Sequence, residues 1–196
     1  NSIVSPVDGL ISHFGNIENY EILQVKGISC PLENLVVNKK YFDIFKNGSF
    51  MTIYLTPKHY HRIHSPVSGD IKELYYVPGT LFPVNFFAVE NIPGVFTLNE
   101  RIISLIHNKQ LGLVAVIKVG ATVVGKIKVV YDKIESNKKR KTVHKKYSQI
   151  KISKGQELGR FEMGSTVILL FQNQISFDPL QLGQEIFFGK QIAKIK

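Results

Sequence analysis

The chain is poor in cysteine and in acidic residues. Cys30 is the only cysteine, so no disulfide can form within the chain, and nothing indicates an oxidising compartment; we expect exposure to the cytosol. Lys and Arg number 25 against 15 Asp and Glu, which gives a formal net charge of +10. Such a charge favours an anionic partner, which could be nucleic acid, an acidic membrane surface or an acidic ligand.

Long apolar runs and internal repeats are also missing. No stretch reaches the ~18 consecutive apolar residues of a membrane-spanning helix. The longest candidate, 111–124, is interrupted by Lys118 and two glycines, and its Val and Ile suit buried strands. We therefore expect any membrane contact by this segment to be peripheral. Because the chain starts at Asn1 without a methionine, we interpret it as a fragment whose upstream part was removed.

Short apolar segments between Gly, Pro and Asn predict a mainly β protein with a few short helices (α+β), in one compact domain over 1–196. One helix is predicted by the apolar spacing over 32–46. The basic run 138–146 contains no acidic residue and is expected to be an exposed loop. The predicted strands are 50–55, 67–77, 101–107, 113–119, 122–131 and 166–171.

Three histidines, His59, His61 and His64, lie within six residues. Histidine exchanges protons near neutral pH and also ligates metals. Three of them could bind zinc, but a polar turn with satisfied or solvent-facing histidines explains the pattern equally simply. Taken alone, the cluster favours the turn, and we predict no metal.

Gly164 is followed directly by Ser165, just before the apolar run 167–171. Glycine leaves its carbonyl sterically open, so the Ser165 hydroxyl could attack the peptide bond that precedes it. Taken alone, this is a common turn at the start of a strand. It is not the Gly-x-Ser-x-Gly elbow of an α/β hydrolase.

The wider pattern changes this interpretation, because an acid, a histidine and a serine are the parts of an activated-nucleophile relay. Such parts recur in order and spacing along the chain, in segments 5–9, 60–66, 76–79, 83–85, 99–101, 119–125, 154–161 and 164–166. With these segments the chain resembles the bacterial phosphatidylserine decarboxylase family over nearly its whole length. The fold expected from the resemblance contains hairpins like those of lipoyl and biotinyl domains. The chain departs from the family at Met163, where Leu is common, and in the absence of the upstream membrane-associating region.

The resemblance implies that the chain cuts itself between Gly164 and Ser165. Asp8 would orient the imidazole of His64, and His64 would take the proton of the attacking Ser165 hydroxyl. A β chain, 1–164, and an α chain, 165–196, would result and stay associated. The α chain would begin with a pyruvoyl group made from Ser165, the covalent cofactor of the reaction.

The implied reaction is decarboxylation of phosphatidylserine to phosphatidylethanolamine and CO2, a carboxy-lyase activity. His61 would assist the decarboxylation or the following proton transfer, whereas His59 lies outside the matching motif and is interpreted as structural or solvent-facing. The resemblance also implies a homodimer, no nucleic acid, and a peripheral position on the cytoplasmic face of the inner membrane, with the fragment itself soluble.

Two segments could contact anionic lipid. One is the basic run 138–146, for which a solvated loop is the alternative. The other is an aromatic stretch, for which core packing is the alternative. Its large apolar residues are Tyr75, Tyr76, Leu81, Phe82, Phe86 and Phe87.

Three other functions fit parts of the sequence. The charge and the interspersed Tyr and Phe suit a nucleic-acid-binding β domain, although no module motif is present. A pyruvoyl decarboxylase of another serine phospholipid would share the same motifs. A carrier-type β domain would explain 154–161, but no lysine there is flanked as an attachment site.

Overall fold

The computed structural model of the protein describes residues 2–25, 28–122, 126–137, 141–162 and 165–195. Within these ranges the chain forms sixteen strands and four short helices, which confirms the predicted β-rich α+β class. The strands are β1 (Ser2–Val4), β2 (Gly9–Asn16), β3 (Glu21–Val25), β4 (Ile28–Pro31), β5 (Ser49–Tyr54), β6 (Arg62–His64), β7 (Gly69–Val77), β8 (Arg101–Asn108), β9 (Gly112–Val119), β10 (Ile127–Val129), β11 (Val143–Ile152), β12 (Glu157–Phe161), β13 (Thr166–Phe171), β14 (Ser176–Phe177), β15 (Glu185–Ile186) and β16 (Gln191–Lys194). The helices are α1 (Leu32–Val36), α2 (Lys39–Phe45), α3 (Phe86–Asn91) and α4 (Val95–Leu98).

The largest sheet has eight strands in the order β11-β7-β8-β9-β13-β5-β2-β15. Strand β13 lies at its centre, antiparallel to both β5 and β9, and all of its residues are buried. Thr166, the first residue of β13, is opposite Tyr54 on one side and Val119 on the other. Because the sheet is covered on both faces at this point, the strand is apolar along its length instead of alternating.

This sheet is approximately symmetric about the boundary between β9 and β13. Reading outward, β8, β7 and β11 on one side correspond to β5, β2 and β15 on the other. The three-stranded sheets β10-β12-β6 and β14-β16-β1 correspond in the same way. A bulge between Ile11 and His13 in β2 recurs between Ile71 and Glu73 in β7. The fold therefore consists of two related halves.

Two turns with the sequence Ser-Pro-Val lie where the halves meet. In both, the serine hydroxyl donates to the valine carbonyl two residues later at 2.7 Å, in Ser5–Val7 and Ser65–Val67. The turns also bond to each other reciprocally, since the amide preceding each one donates to the proline carbonyl of the other, at 3.1 and 2.8 Å. The sequence shows no internal repeat, because the residues that the two halves share are too few to give a sequence period.

The helix predicted over 32–46 is two helices, so the prediction of one continuous helix is wrong. Val37 is left-handed (φ 64°) and ends α1. The Asn38 side chain then accepts a hydrogen bond from the Lys40 amide at 2.9 Å, which caps α2. Helices α3 and α4 are too short for apolar periodicity to predict. None of the helices in the described ranges is long and apolar enough to cross a bilayer.

Five of the six predicted strands are confirmed, with small differences at their ends, as β5, β7, β8, β9 and β13. The sixth, 122–131, is wrong in its described part, where only the short strand β10 forms. Residues 123–125 lie outside the described ranges.

The basic run predicted as a loop over 138–146 enters a strand. Residues 138–140 are outside the described ranges, and β11 begins at Val143, so Lys145 and Lys146 lie on an edge strand paired only with β7. The loop prediction is wrong for 143–146, because a solvent-facing edge strand has the polar composition of a loop. Lysines at such an edge oppose pairing with another chain.

Lys118 on β9 is a fully buried basic residue. Its amino group donates to the Ser104 hydroxyl at 2.6 Å and to the Val116 carbonyl at 3.1 Å. The Ser104 hydroxyl also bonds to the Tyr131 hydroxyl at 2.5 Å. Burial lowers the pKa of Lys118 to about 7, because the ammonium form loses its hydration in the core.

Replacing Lys118 with Met should raise the free energy of unfolding near neutral pH by about 1–3 kcal/mol, since a buried polar group is removed. The folded pKa lies below the unfolded one. The free energy of unfolding therefore falls as the pH decreases toward about 7. Above that pH it rises by at most roughly 1.4 kcal/mol per pH unit, because only the unfolded chain keeps the proton on Lys118. The advantage of Lys118→Met should shrink as the pH rises.

Urea denaturation of both chains from pH 6 to pH 9 measures this difference. Both chains carry Ser165→Ala, so that the self-cleavage predicted from the sequence does not divide them. If the stability difference between Lys118→Met and the parent chain stays constant with pH, the lowered pKa of Lys118 is contradicted.

Candidate active site

Ser165 lies immediately before β13, and its hydroxyl is buried with no hydrogen-bond partner in the described part of the chain. Its backbone exchanges two hydrogen bonds with Leu55, from Ser165 N to Leu55 O at 3.1 Å and from Leu55 N to Ser165 O at 2.7 Å. Gly164, the predicted cleavage partner, lies outside the described residues. The sheet backbone therefore positions Ser165, and its side chain is left free to react.

The histidine turn, residues 56–64, lies beside Ser165. It leaves the sheet after Leu55, the backbone partner of Ser165. Its His61 carbonyl then accepts a hydrogen bond from the Phe161 amide at 2.9 Å. Phe161 precedes Ser165 by four residues, a reach of at most ~14 Å. The turn is thus tied at two points to the segment that carries Ser165.

His64 has a partner at each ring nitrogen. Nδ1 lies 2.8 Å from the Gly155 carbonyl oxygen, which can only accept, so Nδ1 carries a proton. Nε2 lies 3.2 Å from the Tyr60 hydroxyl, and the residue is only 8% exposed. In the neutral ring Nε2 then holds the lone pair, which is the form that a general base requires.

Asp8 lies just before β2, next to a glycine that the packing requires. A Cβ on Gly9 would come within 2.7 Å of the Tyr54 carbonyl oxygen, so β2 can approach β5 this closely only with glycine. The Asp8 carboxylate accepts a hydrogen bond from the Phe188 amide at 2.7 Å. Asp8 therefore fixes the turn between β15 and β16.

Asp8 is connected to His64 through Phe188. The ring of Phe188 stacks on the imidazole of His64 with 3.9 Å between centroids and 29° between planes. The sequence predicts that Asp8 orients this imidazole. In the structure the Nδ1 bond goes to Gly155, and Asp8 reaches the imidazole by placing the ring that covers it.

His61 has a buried Nε2 with no hydrogen-bond partner in the described part of the chain. Burial lowers the pKa of His61; a hydrogen bond to the backbone of His59 raises it, and the His59 charge lowers it again. The net shift is downward, so the imidazole is neutral at pH 7. Its role in proton transfer stays a prediction.

His59 is structural. Its Nδ1 accepts from the Thr56 amide at 2.9 Å, and its Nε2 lies 3.1 Å from the Glu185 carboxylate. This contact joins the histidine turn to β15. No group of three His, Cys, Asp or Glu side chains among the described residues is arranged to hold a metal ion.

A cavity of about 330 Å³ opens at Tyr54 and Leu55, the residues that pair with Thr166 and Ser165. It is bounded by Leu55, the backbone partner of Ser165, and by two loops at the same end of the sheet. A mostly apolar cavity with a few polar groups is the usual form of a ligand site. Its lining residues are Tyr54, Leu55, Pro57, Pro83, Val84, Asn85, Ala121 and Thr122.

The aromatic stretch considered for lipid contact divides between core and surface. Tyr75 and Tyr76 are buried, so core packing is correct for them. Phe82, Phe86 and Phe87 are 40%, 46% and 74% exposed. The segment that carries these three phenylalanines also lines the cavity.

The described part of the basic run enters β11 at the same end of the large sheet as Ser165. Across β7, β8 and β9, Val143 is level with Val167 of β13. Lys145 is bonded to Asp132 at 2.7 Å, whereas Lys146 is exposed. Only part of the positive charge is therefore available to an external anion.

Phe188 and Gly155 are the site residues that sequence reasoning misses. Neither belongs to a chemical motif, since one acts by its ring face and the other by its backbone carbonyl. The repeated Ser-Pro-Val tripeptide is the sequence feature that could have pointed to these two residues. Each copy of it bonds to one of the glycine turns, at 155 and at 189.

The fold and this site define a β-sheet protein with a serine and a histidine of the kind that activates a hydroxyl nucleophile. A sequence profile described as Phosphatidylserine decarboxylase matches residues 1–194. The chain belongs to the phosphatidylserine decarboxylase family. This assignment favours the decarboxylase interpretation over the nucleic-acid-binding and carrier-type alternatives.

Several curated proteins named "Phosphatidylserine decarboxylase proenzyme" are similar to the chain. The protein of Klebsiella pneumoniae is 45% identical over 180 residues, which cover 87% of this chain and 56% of that protein. The protein of Acinetobacter baylyi is 44% identical over 172 residues, covering 87% and 59%. That of Brevibacillus brevis is 40% identical over 204 residues, covering 100% and 71%. The chain thus spans less than two thirds of the first two relatives.

Proposed function

We propose that this chain is the catalytic part of a phosphatidylserine decarboxylase that cuts itself between Gly164 and Ser165 and converts phosphatidylserine to phosphatidylethanolamine and CO2. The observation that carries the proposal is the buried Ser165 hydroxyl without a partner, next to the histidine turn, in a chain of this family. The relatives are named proenzymes, which supports the processing step.

In the proposed cleavage, Ser165 Oγ attacks the carbonyl carbon of Gly164, and His64 Nε2 takes the hydroxyl proton. The peptide C–N bond breaks as the ester C–O bond forms, and the departing amine takes a proton. Loss of the Ser165 Cα proton then breaks the Cβ–O bond and releases the Gly164 carboxylate. Tautomerisation and addition of water release ammonia and leave a pyruvoyl group at position 165. No oxidant is consumed.

The surroundings of Ser165 fit a pyruvoyl group. Loss of Oγ removes no hydrogen bond among the described residues, and the Ser165 carbonyl remains bonded to the Leu55 amide. Loss of the amide nitrogen removes one bond, the 3.1 Å bond to the Leu55 carbonyl. The adjacent apolar cavity leaves room for a substrate beside this position. A pyruvoyl group supplies an electron sink for the electron pair left when CO2 departs. The neutral His61 side chain, whose Nε2 has no partner among the described residues, is suited to accept a proton from the substrate ammonium group and to deliver it to the product carbon.

The two proposed chains would stay associated, because the smaller one provides strands to three places in the fold. Its strand β13 lies between β5 and β9, β15 pairs with β2, and β16 pairs with β1. His59 adds the contact to Glu185.

We also propose that the end of the sheet with Ser165 rests on the membrane, with the exposed phenylalanines against lipid and the basic run near anionic headgroups. A two-tailed lipid leaves the bilayer at a cost of about 0.8 kcal/mol per CH₂. A site at the membrane surface avoids most of this cost. The homodimer expected from the resemblance stays a prediction.

The wild-type chain of 22.2 kDa should split on a denaturing gel into chains of residues 1–164 and 165–196, while Ser165→Ala should remain whole. Thr52→Val is a matched control, since Thr52 also has a buried hydroxyl without a partner in the described chain. It should split like the wild type. Mass spectrometry locates the cut, and a wild-type chain that stays whole, or is cut elsewhere, would refute the proposal.

His61→Ala should still split but lose about 10²- to 10⁴-fold in decarboxylation rate, the usual contribution of a general acid or base. His64→Ala should fail to split. Gels report the first step, and CO2 release from phosphatidylserine vesicles reports the second. Full decarboxylase activity in the split His61→Ala protein would remove His61 from the mechanism.

Phe87→Ser should weaken binding to phosphatidylserine vesicles by about 1–2 kcal/mol, because an exposed ring can no longer enter the lipid. Tyr20→Asn is the control, since Tyr20 is 56% exposed in a turn at the opposite end of the large sheet. Vesicle sedimentation measures both variants. Equal binding by wild type and Phe87→Ser would argue against this docking surface.

A further inference from the structure

His64 is held on one ring face as well as at both nitrogens. Phe188 covers that face, with 3.9 Å between the centroids and 29° between the planes. Tyr60 is 5.7 Å from the imidazole and 6.3 Å from Phe188, so it lies beside the imidazole at the Nε2 edge, where its hydroxyl bonds. The stacked Phe188 ring restricts rotation of the imidazole plane, which a single hydrogen bond does not prevent.

The Phe188 backbone is placed by a bond that both halves of the fold possess. In one half, the Phe188 amide donates to the Asp8 carboxylate at 2.7 Å. In the other half, the Lys154 amide donates to the Ser68 hydroxyl at 2.9 Å. Both bonds connect a glycine turn to the residue that follows a Ser-Pro-Val tripeptide.

The surrounding bonds match as well. The amides of Ser5 and Ser65 donate to Lys190 and Gln156, each the residue after the turn glycine, at 2.7 and 2.8 Å. The amides of the turn glycines, 189 and 155, donate back to the serine carbonyls at 3.0 and 2.8 Å. The backbone anchor is therefore a property of the fold and is independent of any chemistry.

The side chains at the two equivalent positions differ. Lys154 extends away to Ser2, whose hydroxyl accepts from its amino group at 2.8 Å. Phe188 instead lies on His64, although it is 40% exposed. Both turns contact His64, one through the Gly155 carbonyl and the other through the Phe188 ring, and only the second carries an aromatic residue at this position.

We propose that Phe188 is a positioning residue for the self-cleavage, holding the His64 ring so that Nδ1 stays on Gly155 and Nε2 keeps its lone pair. This inference rests on the proposed function and deepens it. Asp8 acts in it by anchoring Phe188, as Ser68 anchors Lys154. Phe188 touches no reacting atom, so its contribution passes entirely through His64.

Phe188→Leu keeps the apolar cover and the amide donor to Asp8 but removes the stacked ring. It should slow self-cleavage roughly 2- to 12-fold, the rate equivalent of one aromatic pair. Phe188→Tyr restores a ring and should cleave within about twofold of the wild type. Lys154→Leu changes the equivalent residue of the other half and should cleave at the wild-type rate. Time courses on denaturing gels measure all four chains.

A second readout follows the imidazole itself in chains kept whole by Ser165→Ala. The ring current of Phe188 should displace the His64 ring signals in NMR of ¹³C-histidine-labelled protein. These signals should move in Phe188→Leu and stay in Lys154→Leu.

The possible failures are distinguishable. If wild type does not split, the proposed function is refuted. If wild type splits and Phe188→Leu splits equally fast, the positioning role alone is refuted. Unchanged His64 signals in Phe188→Leu would likewise refute the stacking on which it depends. Slow cleavage in both Leu variants would show a general loss of stability and refute the specific role.

Discussion

The pairing of β13 with β5 and β9 is the constraint on which the rest of the structure depends. This strand lies at the boundary between the two halves of the fold, and its first residue follows Ser165 directly. A backbone held on both sides has little freedom, so the serine cannot drift from its position as a surface loop residue could. The reactive group owes its placement to a buried central strand of the sheet.

Much of the fold could be predicted from the sequence, because strands such as β8, β9 and β13 are apolar runs bounded by turn residues. The secondary-structure predictions were wrong where the local sequence pattern favours one structure and the tertiary contacts favour another. A left-handed Val37 divides a stretch with continuous helical spacing. The edge strand β11 has the composition of a loop, because one of its sides is unpaired and exposed. Neither feature is visible in periodicity alone.

The candidate site was also predicted only in part. Ser165, His61, His64 and Asp8 were predicted because they belong to sequence motifs. Phe188 and the Gly155 carbonyl contribute a ring face and a backbone atom, and such contributions leave no residue-type signature. Knowing which nitrogen of His64 carries the proton required three-dimensional contacts.

A central strand next to a cut has a consequence for assembly. In a chain cut before Ser165, the smaller piece holds the middle of the sheet, and the larger piece holds both strands that flank it. The uncut chain folds by itself at any dilution, whereas two separated pieces must find each other, at a rate that depends on concentration. Once cut, the protein would owe its persistence to slow unfolding, and folding would have to be complete before the bond is broken.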